Sequence, residues 1–213
     1  MKLKAIIMHD WDGTDVDTMP SHADLAARMI EKHFGMDFMV AREKYLATTG
    51  VPFDKQLEII FPDKPVKKLQ ECAEEYHKRK ITEVYGNPKT FPTLRPALEL
   101  SEELIFKSVI SSSTEASIIK PWAAKEDLSY YFFAILGRES GSKSDHIEYI
   151  GNIYPDVPIF FLSDSVGDMD LPAITIGVCA PQKKHKEFYR AGADWVFSSP
   201  PSIAVIKRID SIL

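Results

Sequence analysis

Leu3-Lys4-Ala5-Ile6-Ile7-Met8-His9-Asp10-Trp11-Asp12-Gly13-Thr14 passes from apolar to acidic within a few residues. The run from Leu3 to Met8 reads as a buried strand, and the acids after it as the loop that ends the strand. Asp10 and Asp12 stand two residues apart, so in an extended chain both carboxylates face the same side. One carboxylate can then attack an electrophile while the other manages the proton of the leaving group. Gly13 lets the chain bend away from the strand, and Thr14 can cap that bend. An acidic turn after a strand is also common loop material, so the pair takes its meaning from the rest of the chain.

Beyond this loop, Leu25, Ala26, Met29, Ile30 and Phe34 recur at helical spacing, with Ser21 as the expected N-cap. Thr49-Gly50-Val51-Pro52 interrupts this helical region, and a charged helical pattern resumes from Val66 to Val84. After Gly86-Asn87-Pro88 the texture changes to alternating strands and helices. Helices are expected over Leu94 to Leu104, Glu115 to Ala124 and Ser144 to Ile153. Strands are expected at Ser108-Val109-Ile110, within the apolar segment Tyr130 to Leu136 and at Ile159-Phe160-Phe161-Leu162, with two short candidates at 174–179 and 193–198. Repeated strand and helix units argue a parallel sheet covered on both faces, because parallel strands need crossover connections. Open sheets of this kind bind ligands where the carboxyl ends of their strands converge. Three of the expected strand ends carry reactive side chains: Asp10 with Asp12, the hydroxyl run from Ser111 to Thr114, and Asp164 with Asp168.

The bulk composition narrows the function classes. A chain of 213 residues, 45% hydrophobic and 27% charged, has enough apolar material for one core domain with an insertion. Its net charge of −5 lacks the basic footprint of a nucleic-acid binder, which favours a small substrate. Cys72 and Cys179 form no metal-type or disulfide-type pattern, and a reducing cytoplasm suits them. No apolar run approaches the roughly 18 residues a membrane span needs, so no membrane partner is expected.

The order of acidic, hydroxyl, lysine and acidic segments is similar to the four motifs of the haloacid dehalogenase-like hydrolases, and the likeness spans nearly the whole chain. Asp10-x-Asp12-Gly13-Thr14-x-Val16-Asp17-Thr18 resembles the first motif, and Val109-Ile110-Ser111-Ser112-Ser113 the second. Lys143 resembles the third, and Asp164-Ser165-Val166-Gly167-Asp168 the fourth. The resemblance implies a Rossmann-like α/β core over residues 1–17 and 89–213, with an inserted helical cap over 18–88. It implies Asp10 as nucleophile, Asp12 as acid and base, and Lys143 as the balancing charge. A phosphate-binding hydroxyl comes from the serine cluster, with Ser112 preferred, then Ser111, and Ser113 beside them. Mg2+ would be held by Asp10, Asp12 through its carbonyl, Asp164, and Asp168 directly or through water. Thr18 and His22 match positions shared by phosphoglycolate phosphatase and beta-phosphoglucomutase relatives, and Gly50 lies in a segment similar to their substrate loop. Lys80 falls near a cap lysine of the mutases, although a basic helix face explains it equally well.

The implied activity is hydrolysis of a small phosphorylated metabolite, because Asp12 separates the chain from the dehalogenase branch. Phe53 stands where mutases carry an arginine, which ranks hydrolysis above mutase chemistry, and the full reactive set ranks both above a non-catalytic binding relative. Four positions depart from the pattern. His9 replaces an aromatic residue, Asp15 an apolar one and Ser163 a glycine, while Ser144 rather than proline follows Lys143.

Overall fold

The computed structural model describes residues 2–48 and 51–213. The expected first strand is β1 (Ala5–His9), buried at every position. Four helices follow it: α1 (Met19–Phe34), α2 (Phe38–Ala47), α3 (Phe53–Ile60) and α4 (Val66–Glu83). The remainder alternates as α5 (Leu94–Glu103), β2 (Phe106–Ser111), α6 (Ala116–Lys125), β3 (Phe132–Leu136), α7 (Lys143–Ile153), β4 (Ile159–Ser163), β5 (Ile174–Gly177), α8 (His185–Ala191), β6 (Trp195–Val196) and α9 (Ile203–Asp210).

The strands form a parallel sheet in the order β3-β2-β1-β4-β5-β6. The chain builds the sheet in one direction from β1 and then returns to extend it from β4. That reversal places the topological switch point between β1 and β4, and the carboxyl ends of the strands at such a point are where sheets of this kind take ligands. Alternation along the strands feeds two cores. Ala5, Ile7, Phe160 and Leu162 pack with Ala97, Val205 and Ile209 on one face, while Ile6, Met8 and Phe161 pack with Ile147 and Ile150 on the other. Phe160 and Phe161 are both fully buried, so truncating either to alanine costs about 3–5 kcal/mol.

The chain divides into two compact units, Met1–Asp17 with Lys89–Leu213, and Thr18–Pro88. The second unit is helical. α1 buries Leu25, Ala26, Met29 and Ile30 along one face and ends at Gly35, whose φ of 70° allows its N–H to reach the Glu31 carbonyl. Its start differs from the sequence expectation. Thr18 is the N-cap and Ser21 lies inside the first turn, because Pro20 suits the first helical positions, where no N–H partner is needed. Phe53 and Tyr76 pack with ring centroids 4.1 Å apart, and His22 Nδ1 lies 2.7 Å from the Tyr76 hydroxyl. Glu75 receives Lys32 and His33, which hold its carboxyl down at about 2.

Candidate active site

The end of β1 is fixed before the acids begin. His9 pairs with Ile110 on one side and Leu162 on the other, and the Asp10 N–H donates to the Leu162 carbonyl at 2.9 Å. The chain then turns tightly. The N–H groups of Thr14, Asp15 and Val16 all reach the Trp11 carbonyl, at 3.3, 3.0 and 3.2 Å. Gly13 has φ +73°, and a Cβ there would stand 2.2 Å from Asp164 Oδ2. Only glycine suits both the left-handed backbone and that close approach.

Asp10 is held from two directions. Its Oδ1 accepts from the Trp11 N–H at 2.8 Å, and its Oδ2 lies 2.9 Å from Lys143 Nζ. Lys143 is the first residue of α7 and reaches Asp168 Oδ2 at 2.6 Å as well. Ser163, at the end of β4, donates to the same Asp168 oxygen at 2.5 Å. Asp164 follows Ser163, and its N–H donates to Thr14 Oγ at 3.1 Å, which joins the fourth motif to the first. Asp12 Oδ2 accepts from the Thr114 hydroxyl at 2.8 Å, which joins the second motif to the first.

This crowding of acids governs their proton affinity. Burial, reinforced by Asp168 and Asp12, lifts the Asp10 carboxyl to about 7 despite the opposing Lys143. Burial, then the neighbouring Asp10, lifts Asp164 to about 8. Burial alone would weaken the Lys143 ammonium, but Asp10 and Asp168 outweigh it and hold that charge well above its ordinary range.

The hydroxyl run separates into different roles. Ser111 Oγ lies 2.9 Å from His146 Nδ1, and Ser140 Oγ 3.0 Å from His146 Nε2, so this buried imidazole bridges the end of β2 and the loop before α7. Burial holds the His146 imidazole below its usual range. Ser112 is buried and its Oγ accepts the Thr114 N–H at 3.1 Å, while Ser113 is exposed. The structure thus brings together Asp10, Asp12, Lys143, Asp164 and Asp168, with Ser112 joined to them through Thr114. Ser111 is turned to His146 instead. Thr18 and His22 are buried in the helical unit, and Gly50 lies outside the described residues. Among the described residues, no group of three or more His, Cys, Asp and Glu side chains is disposed to hold a metal. Two carboxylates with one backbone carbonyl fall below that number, and such a small oxygen set suits Mg2+, which keeps several waters.

Thr114 and His146 carry no motif of their own in the sequence: Thr114 is the last of the hydroxyl run, and His146 lies one helical turn beyond Lys143.

No protein-family model matches the sequence, and no curated protein matches it. Solved structures do match in shape. A predicted phosphatase from Clostridium acetobutylicum shares 17% identity over 99% of this chain and 100% of that one, with a TM-score of 0.76. A hydrolase of the haloacid dehalogenase-like family from Streptococcus pneumoniae shares 16% over 100% of both chains, with a TM-score of 0.72. A predicted phosphoglycolate phosphatase from Haemophilus somnus shares 14% over 100% of this chain and 99% of that one, with a TM-score of 0.69. The chain therefore has the haloacid dehalogenase-like fold.

Proposed function

We propose that the chain is a Mg2+-dependent phosphatase that hydrolyses a small phosphate monoester through an aspartyl-phosphate on Asp10. The observation that carries this reading is the contact of Lys143 Nζ with Asp10 Oδ2 at 2.9 Å, with a second carboxylate, Asp12, two residues along the same strand end. A phosphate ester and an ionised aspartate repel each other, so a site for phosphoryl transfer must supply positive charge where the two meet.

In the first half-reaction an Asp10 carboxylate oxygen attacks phosphorus, the bond from phosphorus to the ester oxygen breaks, and protonated Asp12 gives its proton to the departing oxygen. In the second, water attacks the phosphorus of the aspartyl-phosphate while Asp12, now ionised, takes the water's proton. The phosphorus–oxygen bond to Asp10 breaks, which releases inorganic phosphate and restores Asp10. Asp10, Asp164 and the Asp12 carbonyl would hold Mg2+, which when bound supplies charge neutralisation at the phosphate and at the two crowded carboxylates. Lys143 adds a fixed positive charge against Asp10, and Asp168 with Ser163 keeps that ammonium in place. Asp168 is accordingly assigned to Lys143 first, and to the metal only through water. Ser112 is assigned to a phosphate oxygen. A cap role for the helical unit, with Thr18, His22 and Gly50 meeting substrate, belongs to the same proposal and is supported by the unit's position in the sequence.

The test is release of phosphate from para-nitrophenyl phosphate. Turnover is expected with Mg2+, lost with a chelator and abolished by Asp10→Asn. Activity without metal, or in the Asp10→Asn variant, contradicts the reading.

A further inference from the structure

Two of the departures noted in the sequence, His9 and Asp15, are partners in the fold. His9 Nδ1 and Asp15 Oδ1 lie 2.9 Å apart, and both side chains are fully buried. The rings of His9 and Phe132 stand nearly perpendicular, at 87°, with centroids 6.0 Å apart. The outer atoms of the pair, His9 Nε2 and Asp15 Oδ2, are buried with no hydrogen-bond partner among the described residues.

Such a pair is a poor device for stability. Each stranded polar atom has given up its water without gaining a partner, and replacing a buried polar pair by apolar side chains of similar volume is often neutral or stabilising. Its place in the chain suggests a different use. His9 is the last residue of β1 and is fixed by its neighbours on both sides. Asp15 closes the turn, with its N–H on the Trp11 carbonyl at 3.0 Å and its own carbonyl accepting from Phe91 at 3.1 Å. Between them lie Asp10, Trp11, Asp12, Gly13 and Thr14. The side-chain bond therefore ties the strand end to the turn end, across the segment that carries both reacting carboxylates. It does so whichever partner holds the shared proton.

We propose that His9 and Asp15 are positioning residues, a buried clasp that sets the Asp10–Thr14 segment for phosphoryl transfer at some cost in stability. The proposal rests on the reading of Asp10 as nucleophile.

Four variants test it, with circular dichroism to confirm folding. Asp15→Asn keeps an acceptor for the imidazole and is expected to hold kcat within about threefold, whereas Asp15→Ser is too short to reach and should lose about tenfold or more in kcat with KM unchanged. The double variant His9→Phe/Asp15→Leu should unfold at or above the wild-type temperature and yet turn over about tenfold more slowly. His9→Phe alone should lose both stability and turnover, because it strands Asp15 entirely. A slowly exchanging proton shared between the His9 ring and the Asp15 carboxyl in the nuclear magnetic resonance spectrum, present in the wild type and absent in Asp15→Ser, reports the pair without reference to turnover. Equal kcat for Asp15→Asn and Asp15→Ser overturns the clasp, as does full activity in the double variant. If the double variant does not fold, the comparison of asparagine with serine decides alone. Absence of phosphate release from the wild type instead overturns the reading of Asp10, with the proton resonance showing that the pair itself is intact.

Discussion

Thr114 donates its hydroxyl proton to Asp12 Oδ2 at 2.8 Å, so the group assigned to proton transfer is aimed by a residue more than a hundred positions away in sequence. A hydrogen bond to a charged acceptor contributes about 1.5–3 kcal/mol. Thr114→Val, which keeps the shape and removes the donor, is therefore expected to lower kcat by about tenfold or more. The loss should be larger for alkyl phosphates than for aryl phosphates, because an alkoxide needs the Asp12 proton most. Steady-state rates across a series of esters would check this, and an equal loss for every ester would contradict the role given to Asp12. The sequence made the hydroxyl run visible but not the division of labour within it. That division depends on how the chain turns after β2, which sends Ser111 to His146 and Thr114 to Asp12. His9 and Asp15 were legible singly as departures, while their pairing depends on the turn around Trp11.

At the scale of elements, α7 shows how a helix start can serve a site. Ser142 caps the helix by accepting the Asp145 N–H, and Asp145 returns the bond to the Ser142 N–H. This reciprocal box satisfies donors that the first turn leaves open, and it fixes the residue next in line, Lys143. His146, braced by Ser111 and Ser140, holds the same turn from the inside. Together they supply the rigidity that a proline after the lysine would give, and Ser144 occupies that position here. Ser142→Ala should cost about 1 kcal/mol of stability. It should also lower kcat, because Lys143 then loses its fixed approach to Asp10. Thermal unfolding and steady-state kinetics on one preparation would test this, and lost stability with unchanged kcat would separate the cap from the site. The buried strands β1, β2 and β4 were legible because parallel strands covered on both faces are continuous apolar runs. The start of α1 was not, since Ser21 looks like a cap until Pro20 is seen to occupy the first turn.

For the whole molecule, the acids of the site couple stability to pH and, on the proposed function, to metal. Asp10 and Asp164 are raised from 3.8 to about 7 and about 8 in the folded chain. Between those values the folded state binds more protons than the unfolded state, so stability is fully present below 3.8 and is lost as pH rises through 7 and 8. Metal-free protein should therefore show a falling contribution from these groups over that window, and Asp164→Asn should flatten it. Added Mg2+ should raise the unfolding temperature more at pH 8 than near pH 5, because protons compete for the same oxygens. Unfolding scans across pH, with and without Mg2+, provide the check. A metal effect that grows as pH falls would contradict the assignment of Asp10 and Asp164 to one cation.

Asp10 is the residue proposed to carry the phosphoryl group, and trapping the phosphorylated intermediate puts that role to trial. Asp12→Asn should slow hydrolysis of the aspartyl-phosphate, so protein incubated with Mg2+ and acetyl phosphate, then quenched in acid and digested, can be analysed by mass spectrometry. One added phosphoryl group is expected on the peptide containing Asp10, absent when Asp10→Asn is introduced as well. A phosphoryl group on another residue, or none on any peptide while the wild type turns over the same donor, would contradict it.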